Sequence, residues 1–179
     1  MLILVTGGSG SGKSEYAENL VLKLHTGSYL YIATMYPFDE ECHQRIARHR
    51  DMRKAKHFDT LECYTQLKKA TADGYGTVLL ECMSNLTANE MYQEGGASDR
   101  CVEEIMEGIR HLTGQCSHAI IVSNEIFSDG IEYDEETKKY QKYLGQINRQ
   151  IAELADLVIE VVYSIPLVKK GNLEECLNI

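Results

Sequence analysis

No apolar run in this sequence approaches the roughly eighteen residues that a membrane-crossing helix needs. The opening run, Met1-Leu2-Ile3-Leu4-Val5, is short and has no basic stretch beside it. It therefore reads as neither a secretion signal nor a span, and the expected location is the cytoplasm. Basic residues are in deficit: 18 Lys and Arg stand against 27 Asp and Glu, for a net charge of −9. Proteins that grip phosphodiester backbones usually carry the opposite balance, so nucleic acid is not the expected partner. Paired cysteines are missing as well. The six cysteines (Cys42, Cys63, Cys82, Cys101, Cys116, Cys176) include no C-x-x-C. Reduced thiols are expected, not a disulfide framework or a zinc site. Only two prolines occur, and no linker, repeat or low-complexity tract interrupts the 179 residues. With 44% apolar and 25% charged residues, one compact domain over 1–179 is expected.

What is present is an alternation of short apolar runs with longer segments of helical period. Strands are expected at Leu2–Thr6, Tyr29–Ala33, Thr77–Glu81, His118–Ser123 and Leu157–Val162, with a short edge strand at Ile165–Val168. Helices are expected near 13–25, 39–53, 62–72, 85–92, 98–115 and 134–155. The strands are rich in β-branched residues and almost continuously apolar, as strands covered on both faces are. That pattern predicts α/β architecture: a largely parallel, doubly wound sheet between two helical layers.

Between the first strand and the first helix stands GGSGSGKS. Gly7, Gly12, Lys13 and Ser14 satisfy G-x-x-x-x-G-K-[ST], with Gly8, Ser9, Gly10 and Ser11 inside the wrap. Glycine lets the loop curl until successive backbone N–H groups converge on an anion, and the helix that follows adds its positive end. In such a loop Lys13 reaches the β- and γ-phosphates and the Ser14 hydroxyl ligates Mg²⁺. An acid from a neighbouring strand must help hold the metal. Glu81, ending an apolar strand, and Glu125, just past another, both emerge at the right edge; Glu81 is preferred.

A second anomaly is HQRIARHRDMR, which places Arg45, His49 and Arg53 four residues apart on one helical face. Five of the eighteen basic residues (Arg45, Arg48, Arg50, Arg53, Lys54) fall within ten positions. The cluster reads as an anion site around a histidine, although a solvated basic face has the same pattern. Neighbouring arginines would favour neutral imidazole, which can attack an α-phosphate and expel pyrophosphate. Two further readings remain open: a small-molecule P-loop kinase without a covalent nucleotide, and a nucleotide-dependent switch. No N-K-x-D and no D-x-x-G after the third expected strand support a GTPase switch.

The ordered series ILVTGGSGSGKSEYAE, YIAT, RIARHRDMR, TLE, LLECMSNLTANEM and VSNE resembles the adenosylcobinamide kinase / adenosylcobinamide-phosphate guanylyltransferase family along nearly the whole chain. The resemblance implies a P-loop NTPase-type domain with a RecA-like core that assembles as a homotrimer. It implies a bifunctional transferase that phosphorylates the corrinoid adenosylcobinamide with ATP or GTP and then transfers GMP from GTP to the product. His49 matches the family's guanylylated histidine. Nucleotide contacts would come from Gly7 to Ser14, from Ala33, Thr34 and Met35, from Arg50, Asp51, Met52 and Arg53, and from Glu62 and Glu81. The chain departs from the family after VSNE, where V-G-x-G-I-V-P is usual and Ile126-Phe127-Ser128-Asp129-Gly130-Ile131-Glu132 stands instead.

Overall fold

The computed structural model describes residues 1–38, 40, 43, 44, 46, 47 and 56–177. Within them, seven strands form one sheet: β1 (Leu2–Thr6), β2 (Tyr29–Ala33), β3 (Phe58–Glu62), β4 (Thr77–Glu81), β5 (His118–Val122), β6 (Leu157–Val162) and β7 (Ile165–Lys170). Their order across the sheet is β3-β2-β4-β5-β1-β6-β7, parallel throughout except for β7, which returns antiparallel on β6. The helices are α1 (Lys13–Lys23), α2 (Met83–Tyr92), α3 (Cys101–Thr113), α4 (Glu135–Leu154) and α5 (Leu173–Leu177).

Strand residues alternate between two cores because successive side chains leave a strand on opposite faces. Ile3, Val5, Leu79, Ile120, Val122 and Ile159 point to one side, where Ala17, Leu20 and Val21 of α1 cover them. Leu4, Ile32, Leu80 and Ile121 point to the other, against Leu86 of α2, Ile105 and Ile109 of α3, and Leu144 and Ile147 of α4. The result is the expected α/β/α sandwich. Each buried aliphatic side chain contributes about 1.5–3 kcal/mol, so filling both faces makes this sheet the source of most of the stability.

One sequence expectation needs correcting. A helix over 62–72 is replaced by a short 3₁₀ turn at Leu67–Lys69, preceded by strand β3. Among the described residues strand β3 pairs only with β2, and it is half exposed. Its backbone bonding thus sets its conformation without the apolar run that marks a central strand. Glu18 of α1, which looks like a solvent-facing residue, is fully buried and ion-paired to Lys56 Nζ at 2.6 Å. Of the helix expected over 39–53, residues 40, 43, 44, 46 and 47 are described and helical. Arg45, Arg48, His49, Arg50, Asp51, Met52, Arg53 and Lys54 lie outside the described residues.

His118, at the start of β5, has its Nδ1 buried without a partner among the described residues. Burial, and secondarily the nearby amino terminus, lowers its pKa. The unfolded chain, titrating near the ordinary value of about 6.5, therefore takes up a proton that the folded chain resists. Stability is present above that value and falls as the pH drops below it. Replacing His118 with Gln removes this dependence. Urea midpoints measured at about pH 7.5 and about pH 5.5 should then differ less in the variant than in the parent.

Candidate nucleotide and phosphoryl-transfer site

Strand β1 ends at Thr6, and the chain curls through residues 7–12 into α1. Helix α1 starts from Gly12 with no side-chain cap, its first backbone bond being Tyr16 N–H to Gly12 C=O at 3.0 Å. The first-turn N–H groups are thus left for an anion. Gly12 sits at φ +89°, and a Cβ there would come within 2.6 Å of Ser164 Oγ. Both backbone and packing demand glycine at this position. Gly8 is different: a Cβ there would meet nothing within 4 Å, and its φ is not in the left-handed region. No contact among the described residues requires glycine at 8, and the space a side chain would take there is open.

Lys13 is 8% exposed, and its Nζ donates to Gly8 C=O at 3.0 Å, which holds the ammonium inside the curl. Burial lowers its pKa, while Cys82 and Glu81 raise it. A phosphate tail beside it would add to the second effect and keep the lysine charged. Ser14 Oγ donates to Glu81 Oε1, and Tyr31 O–H donates to Glu81 Oε2 at 3.2 Å. Hydroxyl and carboxylate side by side at the end of the phosphate loop are the hard oxygen donors that suit Mg²⁺, with the remaining positions left for water and phosphate. Ser14 and Glu81 would hold the ion there, and bound Mg²⁺ would neutralise charge on the β- and γ-phosphate oxygens.

The alternative acid is used otherwise. Glu125 N–H donates to Gly7 C=O at 3.0 Å, while its carboxylate accepts from Phe127 N–H (2.9 Å) and Ser128 Oγ (2.8 Å). Glu125 thus braces the phosphate loop through its backbone and shapes its own loop through its side chain. Of the two acids, it is Glu81 that faces Ser14.

Register brings three expected residues into one row. Ala33 of β2 pairs with Glu62 of β3 on one side and Glu81 of β4 on the other. With strands about 4.8 Å apart, the two glutamates stand roughly 10 Å from each other at the carboxyl edge. This is the edge at which open α/β sheets bind ligands. Glu62 also lines a cleft of about 340 Å³ with Tyr64, Gln66 and Lys69. Thr34 is fully buried and turned inward. Its hydroxyl donates to Cys82 C=O (2.8 Å) and accepts from Cys82 N–H (2.7 Å), and its carbonyl accepts from Asn89 Nδ2 (2.8 Å). Its side chain fixes the Glu81–Cys82 corner. Met35 follows it at the edge, half-buried.

Sequence reasoning missed the polar network behind this edge. Asn124 Nδ2 donates to Ser84 Oγ at 2.6 Å, which lies 3.0 Å from Cys82 Sγ. Ser123 Oγ donates to Asn148 Oδ1 at 2.6 Å, and Tyr140 O–H donates to Ser84 C=O at 3.2 Å. Burial pushes the Tyr140 hydroxyl up to about 12 and also raises the Cys82 thiol. Both stay protonated at neutral pH. Among the described residues, no group of three His, Cys, Asp or Glu side chains is placed to hold a metal alone.

A glycine-shaped phosphate loop leading into an uncapped helix, on a parallel sheet with an acid at the serine, defines a P-loop nucleotide-binding fold with a RecA-like core. Solved structures share it. Flagellar accessory protein FlaH from Methanocaldococcus jannaschii matches over 96% of this chain and 79% of its own, with TM-score 0.50 and 14% identity. A KaiC-like protein from Pyrococcus horikoshii matches over 96% and 80%, with TM-score 0.51 and 11% identity. Within that class, residues 3–169 match the cobinamide kinase / cobinamide phosphate guanyltransferase family model, and the chain belongs to this family. It is a transferase. The bifunctional adenosylcobalamin biosynthesis protein CobU of Salmonella typhimurium is 32% identical to it, and the CobU of Escherichia coli 31%, each covering 92% of this chain and 97% of the relative.

Proposed function

We propose that this chain is a single-domain bifunctional enzyme of adenosylcobalamin assembly. It phosphorylates adenosylcobinamide with ATP or GTP, and then transfers GMP from GTP to adenosylcobinamide phosphate. The observation that carries the reading is the cradle itself: Gly8 open to an outside group, Lys13 inside the curl, and Ser14 against Glu81.

In the first reaction the terminal phosphoryl group leaves the nucleotide for the corrinoid's hydroxyl. Lys13 and the loop N–H groups stabilise the charge that gathers on the β–γ bridge as that bond breaks. In the second, an imidazole nitrogen of His49 attacks the α-phosphorus of GTP. A P–N bond forms, the bond to the β-phosphate oxygen breaks, and pyrophosphate departs. A phosphate oxygen of adenosylcobinamide phosphate then attacks the same phosphorus, the P–N bond breaks, and His49 is regenerated. Arg50 to Arg53 beside the histidine and the edge formed by Ala33, Thr34, Met35 and Glu62 complete the nucleotide contacts in this reading. A cytoplasmic homotrimer is the assembly that goes with it.

The test is to incubate the protein with adenosylcobinamide, GTP and Mg²⁺, to weigh the corrinoid products, and to follow α-labelled GTP onto the chain. Expected are corrinoid species heavier by phosphate and then by GMP, and a protein-bound label that acid removes and alkali does not. Phosphorylated corrinoid with no bound label would leave a plain kinase in its place.

A further inference from the structure

The loop between β5 and α4 presents two apolar side chains to solvent, Phe127 at 44% and Ile131 at 62% exposure. Their positions are built. Glu125 Oε1 accepts from Phe127 N–H and Ser128 Oγ, Asp129 Oδ1 accepts from Ile131 N–H at 3.1 Å, and Asp129 Oδ2 accepts from Tyr133 O–H at 2.6 Å. Gln141 Nε2 of α4 donates to Ile126 C=O at 3.2 Å. The loop is also tied to the phosphate cradle by the Glu125 N–H to Gly7 C=O bond. Two apolar side chains are thus held out of the core within a few residues of the group that shapes the cradle.

We propose that Phe127 and Ile131 form the apolar wall on which the ring of the corrinoid acceptor rests during phosphoryl transfer. This rests on the reading above, from which it takes the acceptor's class. An acceptor hydroxyl must come within about 3–3.5 Å of the phosphorus it attacks. Its bulky macrocycle therefore has to lie next to the cradle. Strand β5 is the immediate neighbour of β1, about 5 Å away, and the loop that carries Phe127 leaves from it. Tyr163 stands on the opposite side of β1, in the turn after β6. A second aromatic group at this edge, Tyr36 and Phe38 with the half-buried Tyr64 (ring centroids 4.7 and 5.0 Å apart), follows β2 and β3. Those strands lie three and four places from β1, roughly 14–19 Å. Apolar surface beside the phosphate loop suits a wide macrocycle face, which gains from shedding water on contact.

The experiment uses the full chain with three variants: Phe127→Ala, the double variant Phe127→Ala/Ile131→Ser, and Phe38→Ala. Equilibrium dialysis with adenosylcobinamide, in the presence of Mg²⁺ and a non-hydrolysable GTP analogue, is run beside steady-state phosphorylation. The double variant should raise both the corrinoid Kd and its KM by on the order of ten-fold or more, with the KM for nucleotide unmoved. Phe38→Ala should leave the corrinoid values as in the parent. Parent-like corrinoid binding by the double variant overturns the wall while the proposed function stands. A changed elution volume in the double variant, with corrinoid binding lost only as the oligomer dissociates, overturns it in favour of a contact between copies. A parent that neither binds nor phosphorylates adenosylcobinamide overturns both.

Discussion

Lys13→Ala should lower phosphoryl transfer by about two to three orders of magnitude while leaving the chain folded. The ammonium is already placed: its Nζ is held 3.0 Å from Gly8 C=O inside the loop, and the side chain is almost fully buried. It therefore pays little further ordering entropy when a phosphate arrives. Its positive charge matters most when negative charge builds on the bridging oxygen, so the loss should fall on kcat more than on nucleotide KM. The substitution also removes a charge whose burial costs stability. Unfolding midpoints should consequently stay level or rise, which separates a chemical loss from a structural one. Steady-state kinetics with adenosylcobinamide and ATP or GTP, beside urea unfolding of both proteins, checks the point. A variant that keeps parental turnover contradicts the assignment of Lys13.

His49→Ala should abolish retention of the α-phosphate label, a drop on the order of 10³-fold or more, because no covalent bond can form without the nucleophile. In the proposed mechanism the phosphorylation step uses Lys13, Ser14 and Glu81, not His49, and should persist, so adenosylcobinamide phosphate should accumulate without conversion to the GDP derivative. This division of effects is the informative part. An inert surface histidine would move neither reaction, and a misfolded variant would lose both. Autoradiography of denatured protein after incubation with α-labelled GTP, with corrinoids weighed from the same mixture, reads both outcomes. Label retained at the parental level removes His49 from the mechanism.

The first strand, the phosphate loop and α1 were legible in the sequence for a local reason. Gly7 to Ser14 carry their chemistry in consecutive residues, and the apolar periods on either side are strong. Strand β3 was not legible. Phe58-Asp59-Thr60-Leu61-Glu62 lies at the sheet edge with polar residues on its open side, so only its pairing with β2 defines it. The choice of Glu81 over Glu125 rested on a weak preference, since both leave strands at the same edge. The contact that separates them, Ser14 to Glu81, joins residues 67 positions apart. Separation in sequence likewise hid Thr34 as the clamp on Cys82, and hid the Ser84, Asn124 and Asn148 network. Single polar residues scattered over the chain have no period to betray them. Glu18 was concealed differently: a glutamate on an amphipathic helix looks solvated until Lys56 is found beside it.

The two-residue turn between β6 and β7 has a bearing on how the protein folds. Tyr163 and Ser164 both adopt positive φ there, and Ser164 N–H donates to Ser11 C=O at 2.8 Å while its side chain fills the space beside Gly12. The glycine-rich segment is thus braced by a turn very far from it in sequence. Contacts of that kind close slowly, because the entropy of the intervening chain is lost before the contact rewards it.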